Sequence, residues 1–204
     1  YTQTTPLQLC LMTAQLANGG FKIYPKITVE ENEKTFEDIK LLMGKNSENL
    51  DVKNHGLKEA SKILGFMNKE KHESLFKNPK NIKLVRDAMF ASTNEVRGTS
   101  YSSRIEDPKY QFAGKTGTSQ VKRITKADRE LDLKTLDIPY NERDHALYIA
   151  FGPYKNPRYA LSIVIEHGGS GSSTAAPIAK KLFKLIIDRH EIREQTRIKK
   201  ITKV

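Results

Sequence analysis

The sequence predicts an α+β fold, in which an antiparallel sheet is flanked by helices. Three observations indicate this class. A helical pattern opens the chain, two apolar strand-like runs at 145–154 and 158–169 are joined by the short link "KNP", and another helical pattern follows them. Strands joined as a hairpin are antiparallel neighbours, and the flanking helices are available to cover the sheet.

The opening helix is predicted within residues 4–20, where both ends carry recognisable signals. Thr5 can cap the N-terminus, Pro6 suits the first helical position, and Gly19 or Gly20 ends the helix. Apolar residues at helical spacing predict a stripe of Leu9, Met12 and Leu16, for which Cys10 and Ala17 are further candidates.

A strand and a charged insertion are predicted next. Residues 21–30 alternate like a strand, although Pro25 confines that strand to an edge or a break. Residues from about 31 to 80 are highly charged and contain two short helical patterns, at 36–45 and 56–67. We therefore expect residues 1–204 to be part of one domain that carries this block as an insertion.

Two further helices are predicted around the strands. Residues 81–93 form an amphipathic pattern with Ile82, Val85 and Met89 on its apolar face and Phe90 as a further candidate. Residues 168–190 read as a glycine-rich turn followed by a helix, and the remaining residues are expected to fray. The buried stripe predicted for this last helix consists of Ile178, Leu182, Leu185 and Ile186.

Composition narrows the classes of function. The chain has 204 residues, 37% of them hydrophobic, and a formal net charge of +11. That charge favours polyanionic partners, but the basic residues are spread along the chain and are not interleaved with aromatic residues in a nucleic-acid motif. A solvated basic surface is the preferred interpretation, and we expect no nucleic-acid partner. No run of about 20 apolar residues predicts a membrane span.

Neither a disulfide nor a metal site is predicted. Cys10 is the only cysteine and lies in an apolar helical run, which indicates a buried, inert thiol. His145 and His167 have no cysteine or carboxylate at ligand spacing, so we expect no metal and no cofactor. The sequence begins at Tyr1, close to a helix start, and we expect it to be a piece of a longer protein.

The segment "YQFAGKTGTSQV" (110–121) is the candidate functional site. Alternation along a strand places Lys115 and Gly117 on one face, and Thr116 and Thr118 on the other. A glycine allows a ligand to lie against the strand, an open strand edge can pair with an extended peptide, and a cation beside hydroxyls suits a carboxylate. The alternative is a strand with a bulge and a surface lysine.

The longer run "FAGKTGTSQ" favours the functional interpretation. It resembles the Lys-Thr-Gly motif of β-lactamases and penicillin-binding proteins. Residues 4–20 resemble the helix that precedes this motif in class B transpeptidases, and residues 144–171 resemble the strands that follow it in the elongation transpeptidases of rod-shaped bacteria. The resemblance covers most of residues 1–29 and 81–190, and implies the C-terminal half of a transpeptidase domain with a β-lactamase-like fold.

The resemblance implies a reaction and roles for four residues. A serine attacks the penultimate D-Ala carbonyl of a peptidoglycan stem peptide, and a second stem resolves the acyl-enzyme; β-lactams mimic the D-Ala-D-Ala end. Lys115 would supply electrostatics and proton relay, and Thr116 and Thr118 would hold the carboxylate. Gly117 would keep the strand clear of the ligand, and the N–H of Thr118 would complete the oxyanion hole.

The sequence departs from the family in its nucleophile. The Ser-x-x-Lys and Ser-x-Asn motifs should precede residues 4–20, and we expect them outside this chain, so the chain alone should be inactive. The letters "SLFK" (74–77) match Ser-x-x-Lys, but Asn78-Pro79 stops a helix from placing Lys77 one turn after Ser74. An exposed apolar face is expected where the missing half would pack.

Other expectations and alternatives remain open. "HGGSG" (167–171) either lines the rim of the site or is only a turn before a helix. By resemblance, the parent protein is anchored in the inner membrane with this domain in the periplasm, among membrane proteins of the elongation machinery. The alternatives are a septal transpeptidase or β-lactamase relative, an inactive homologue that acts as a scaffold, and a basic nucleic-acid-binding domain.

Overall fold

The structure is a computed structural model that describes residues 3–25, 73–122 and 137–201. The chain divides into two compact units. The first contains residues 1–23 and 74–185, and the second contains 24–73 and 186–204. The helical patterns predicted at 36–45 and 56–67 lie outside the described residues.

The first unit is built on an antiparallel sheet of three strands. These are β1 (Ala113–Ser119), β2 (His145–Gly152) and β3 (Tyr159–Ile165), in the order β1-β2-β3. Both pairings are antiparallel and in full register. The predicted α+β class and the hairpin of the last two strands are therefore confirmed.

Helix α1 (Pro6–Ala17) begins and ends where the sequence predicts. Thr5 and Gln8 form a reciprocal capping box, with the Gln8 N–H donating to Thr5 Oγ1 at 3.2 Å and the Thr5 N–H donating to Gln8 Oε1 at 2.8 Å. Gly19, with a φ of 97°, lies in the left-handed conformation that follows a helix end.

The buried face of α1 differs from the predicted stripe. Thr13 and Ala17 are buried, whereas Met12 is 42% exposed. The Thr13 hydroxyl donates a hydrogen bond to the Leu9 carbonyl of the same helix at 2.7 Å. This polar residue can therefore occupy the buried face without an unpaired hydroxyl. The periodicity gave the helix correctly, and Leu16 and Ala17 lie in or against the core as predicted, but Met12 is exposed and Thr13 was not foreseen.

Helix α2 (Pro79–Asn94) starts two residues before the predicted helix and takes the last residues of the predicted insertion. Asn78 caps it, since its side-chain oxygen accepts from the Lys80 N–H at 2.9 Å. Its buried residues are Ile82, Met89 and Thr93, whereas the predicted Val85 is 42% exposed.

The strand predicted at 21–30 is not formed in its described part. Residues 22–25 have no regular structure, and Phe21 makes a single antiparallel bridge to Ser74. The Leu75 N–H donates to the Gly20 carbonyl at 2.9 Å beside that bridge. Residues 26–30 lie outside the described residues.

The core of the first unit joins both helices to the sheet. Ala17 of α1 and Met89 of α2 pack in one cluster with Ala113 of β1 and Phe151 of β2. Phe112, which precedes β1, is fully buried and stacks on Phe183 with ring centroids 4.8 Å apart. This aromatic pair fixes helix α3 (Ala176–Ile201) against the sheet.

The predicted buried stripe of α3 is wrong, because the buried positions lie about one residue further along the helix than predicted. Ile178, Leu182 and Leu185 are 36%, 37% and 55% exposed. The buried face of α3 within the first unit consists instead of Ala176, Ala179 and Phe183. The Phe183 ring lies beside Gly152 of β2, where an added Cβ would meet it at 3.0 Å. The helix also continues to Ile201, well beyond the predicted end.

Among the described residues, no helix is both long enough and apolar enough to cross a membrane.

Replacing Phe183 should test this assignment of the buried face. Phe183→Ala removes a fully buried ring that stacks on Phe112, and we expect it to lower the free energy of unfolding by about 3–5 kcal/mol. Leu182→Ala is the matched control and should cost about 1 kcal/mol or less, because Leu182 is 37% exposed. Urea unfolding measures both, and equal losses would contradict the assignment.

Candidate active site

The Lys-Thr-Gly segment forms most of strand β1, at the edge of the sheet. Within the described residues β1 pairs only with β2, so its outer edge is not covered by another strand. Lys115 is exposed, and its Nζ donates to the Thr116 carbonyl at 2.7 Å. Thr116 is half-buried and Thr118 is exposed. The site thus offers a solvent-accessible cation and two hydroxyls.

The register explains the first glycine of the segment. Thr116 lies opposite Tyr148, and the Tyr148 side chain passes over the position where a side chain of Gly114 would be. A Cβ on Gly114 would overlap the Tyr148 hydroxyl and ring. Gly114 is therefore required by a side chain of the protein's own core, and not by a ligand.

Tyr148 ends in a buried network of hydroxyl groups. Its hydroxyl lies 3.0 Å from Thr93 Oγ1 and 3.0 Å from Ser100 Oγ, and Ser100 Oγ donates to the Ser92 carbonyl at 3.0 Å. All three side chains are fully buried, and burial raises the pKa of the Tyr148 phenol. Strand β2 is thereby tied to α2 and to the loop after it.

A second row of hydroxyls reaches the motif strand itself. Thr99 Oγ1 lies 3.3 Å from Thr116 Oγ1 and 3.2 Å from Ser92 Oγ. No motif in the sequence predicts a role for Thr99. Its only signal in the sequence is a position after Gly98, in a turn that follows a helix end.

The turn "HGGSG" lies against the motif strand. A Cβ on Gly171 would meet the Gly117 carbonyl oxygen at 2.6 Å, so the turn and the strand approach through their backbones. A Cβ on Gly117 would meet only the Leu147 Cβ, at 3.3 Å. The close approach predicted for the strand therefore depends on Gly171 more than on Gly117. The turn also leads into a π-helical turn, Gly171–Ala175, and then α3.

Two histidines lie at the far end of β1. His145 is opposite Ser119, and its Nδ1 accepts from the His167 N–H at 2.9 Å, which places the proton of a neutral ring on Nε2. His167 Nδ1 is 3.0 Å from the Arg143 carbonyl oxygen. In the described ranges, no group of three His, Cys, Asp or Glu side chains is arranged to hold a metal ion.

Two serines match Ser-x-x-Lys by letters, and neither lies on a helix. Ser74 is exposed, precedes the start of α2 at Pro79, and donates its hydroxyl to the Phe76 carbonyl at 2.9 Å. Ser119, whose match with Lys122 the sequence analysis missed, is the last residue of strand β1. Neither serine can therefore place a lysine one helical turn away.

The comparisons with known proteins agree with this fold. A sequence profile described as the penicillin binding protein transpeptidase domain matches residues 2–184. The chain therefore belongs to the penicillin-binding protein transpeptidase family. Its relatives and structural neighbours identify it more narrowly as part of a transpeptidase domain of the penicillin-binding protein 2 type.

Two relatives of known sequence show the extent of the match. The chain is 43% identical over 105 residues to the peptidoglycan D,D-transpeptidase MrdA of Salmonella typhimurium, covering 52% of this chain and 16% of that protein. It is 28% identical over 179 residues to MrdA of Acinetobacter baumannii, covering 88% of this chain and 22% of that protein.

One similar solved structure is Pseudomonas aeruginosa PBP2 in complex with WCK 5153. It aligns with a TM-score of 0.55 at 26% identity, over 91% of this chain and 31% of that one. The chain thus spans less than a third of the length of each of these proteins. A nucleic-acid-binding domain is not favoured by these matches.

Replacing the two strand glycines should have unequal effects. Gly114→Ala places a methyl group against the Tyr148 hydroxyl, and we expect a loss of about 2 kcal/mol or more in the free energy of unfolding. Gly117→Ala meets only the Leu147 Cβ, at 3.3 Å, and should change stability by less than about 1 kcal/mol. Urea unfolding of both variants tests this, and a reversed order would contradict the packing.

Tyr148→Phe should alter the pH dependence of stability. At neutral pH the substitution removes the hydroxyl that hydrogen-bonds to Thr93 and Ser100, and it should lower the free energy of unfolding by about 1–3 kcal/mol. Because burial raises the Tyr148 pKa, the unfolded chain releases this proton first, at about pH 10, and the wild type loses stability above that pH. The difference in the free energy of unfolding between the wild type and Tyr148→Phe should therefore become smaller from about pH 9 to about pH 11. A difference that stays constant over this range would contradict a raised pKa of Tyr148.

Proposed function

We propose that this chain supplies the Lys-Thr-Gly side of the active site of a peptidoglycan D,D-transpeptidase. The observation that carries the proposal is strand β1, whose exposed edge presents Lys115, Thr116 and Thr118 in a chain of the transpeptidase family. An extended stem peptide can pair with such an edge through its backbone. The terminal carboxylate of that peptide is then within reach of the strand's hydroxyls.

The chemistry is acyl transfer through a serine nucleophile. The serine, in the part of the parent protein outside this chain, attacks the penultimate D-Ala carbonyl and expels the terminal D-Ala. The amine of a second stem peptide then attacks the acyl-enzyme and forms the cross-link. β-Lactams acylate the same serine because they resemble the D-Ala-D-Ala end.

Each proposed residue has a distinct task. Lys115 contributes positive potential and relays protons at the reacting centre, and Thr116 and Thr118 donate to the ligand carboxylate. The Thr118 N–H and the N–H of the serine stabilise the developing oxyanion. Gly117 leaves its face of β1 free of a side chain beside Lys115. In the described unit Lys115 bonds to its own strand through the Thr116 carbonyl, and the serine side of the site is needed to redirect it.

The cellular setting is part of the same proposal. We place the parent protein in the inner membrane through an anchor outside this chain, with the domain in the periplasm. Its partners are stem peptides, β-lactams and membrane proteins of the elongation machinery. The support is the similarity to MrdA proteins, over 52% of this chain in one case and 88% in the other.

Labelling with a fluorescent penicillin tests the proposal. The full-length parent protein should form a covalent adduct that survives denaturation, and this chain alone should not, because neither Ser74 nor Ser119 lies on a helix that would place its lysine one turn away. Labelling of this chain would overturn the assignment of the nucleophile to the missing part, and Ser74→Ala and Ser119→Ala would then locate the acylated residue. No labelling of either protein would overturn the proposed function.

Removal of the Lys115 ammonium should impair acylation specifically. In the full-length protein, Lys115→Ala should lower the second-order rate constant for acylation by benzylpenicillin by about 100-fold or more. Lys83→Ala is the matched control, because the Lys83 side chain is 81% exposed on α2, where it forms an ion pair with Asp87 on the same helix. An equal effect of the two substitutions would contradict a role of Lys115 in the site.

A further inference from the structure

The loop after α2 holds Thr99 beside the motif strand in a defined position. The Gly98 N–H donates to the Glu95 carbonyl at 2.8 Å, and the Ser100 N–H donates to the Ser92 carbonyl at 3.0 Å. A Cβ on Gly98 would overlap the backbone carbonyl of Ser92, so the loop folds back directly onto the helix end. Thr99 stands between these two anchored residues and is exposed.

The Thr99 hydroxyl joins a row that leads from α2 to β1. Ser92 Oγ and Thr99 Oγ1 are 3.2 Å apart, and Thr99 Oγ1 and Thr116 Oγ1 are 3.3 Å apart. Each hydroxyl can donate one hydrogen bond through its proton and can accept others through its oxygen lone pairs. In the absence of a ligand, either member of each pair can be the donor.

An anionic ligand removes that ambiguity. A carboxylate can only accept, so the Thr116 hydroxyl must direct its single proton to the ligand. The Thr116 oxygen then accepts from Thr99, and the Thr99 oxygen accepts from Ser92. The row becomes a chain of donors aligned toward the negative charge, and each hydrogen bond polarises the next.

We infer that Thr99 is a positioning residue for the carboxylate end of the ligand, acting through the hydroxyl of Thr116. The inference rests on the proposed function and adds to it a residue outside the Lys-Thr-Gly motif. Thr99 holds the Thr116 proton in the direction that a carboxylate requires. It therefore selects for ligands that carry a negative charge at this point.

A purely structural role does not account for Thr99. Its two hydroxyl contacts, at 3.2 and 3.3 Å, are longer than the usual O–H···O distance of about 2.8 Å, and the side chain is exposed, so they contribute little to stability. The loop is held independently by the buried hydroxyls of Thr93, Ser100 and Tyr148. Removing the Thr99 hydroxyl should leave the fold intact.

The test compares a carboxylate ligand with its ester in the full-length parent protein. Thr99→Val removes the hydroxyl at nearly constant volume, and Thr99→Ser restores it. Acylation rate constants are measured for benzylpenicillin and for its methyl ester, by competition with a fluorescent penicillin. Thr99→Val should lower the rate with benzylpenicillin by about 5- to 10-fold, as for one net hydrogen bond, and should leave the rate with the ester nearly unchanged.

A double-mutant cycle with Thr116 separates direct from indirect action. In a Thr116→Val background, Thr99→Val should have almost no further effect, because the hydroxyl through which it acts is gone. The ratio of carboxylate to ester rates does not depend on the fraction of folded protein, so reduced folding of a variant cannot imitate the result. Thr99→Ser should return the ratio to near the wild-type value.

The outcomes distinguish this inference from the proposed function. If benzylpenicillin does not acylate the wild type, the proposed function and this inference both fall. If the wild type is acylated but Thr99→Val leaves the ratio unchanged, or lowers both rates equally, only the role of Thr99 is overturned. Additive effects of the two valine substitutions would likewise exclude action through Thr116.

Discussion

The first unit depends on the buried phenol of Tyr148. Its side chain starts on β2, passes over Gly114 of β1, and ends between Thr93 on α2 and Ser100 in the following loop. One side chain thus fixes the spacing of two strands, the end of a helix and the course of a loop. A buried hydroxyl network of this kind stabilises only when every member has a partner, and here Thr93 and Ser100 also bond to helix carbonyls.

This network also places the two parts of the candidate site next to each other. The loop that Ser100 anchors carries Thr99, and the strand that Gly114 allows Tyr148 to cross carries Thr116. At the next residue of the strand, Gly171 brings the turn before α3 against the backbone of Gly117. The motif strand is therefore supported by packing on both sides, while within the described residues no strand pairs with its outer edge. An edge strand left open in this way is suited to a peptide ligand.

Local signals in the sequence predicted the elements well, and packing changed their orientation. Thr5, Pro6 and Gly19 mark the ends of α1 because caps act through hydrogen bonds within a few residues. The buried stripe of α3 was misplaced and that of α1 was right only in part, because apolar character does not decide which face is covered. Thr13 can be buried since its hydroxyl bonds within the helix, and on α3 the small Ala179 is buried while the larger Leu182 stays exposed.

The sequence by itself determined the class, the order of helices and strands, and the strand with Lys115, Thr116 and Thr118, because these depend on local propensity and on a contiguous motif. Only the tertiary structure decided what the glycines do and which residues join the motif. Gly114 accommodates Tyr148, 34 positions away, and Thr99 meets Thr116 across 17 positions. Contacts of that range arise from how the elements pack, and no local pattern in the chain encodes them.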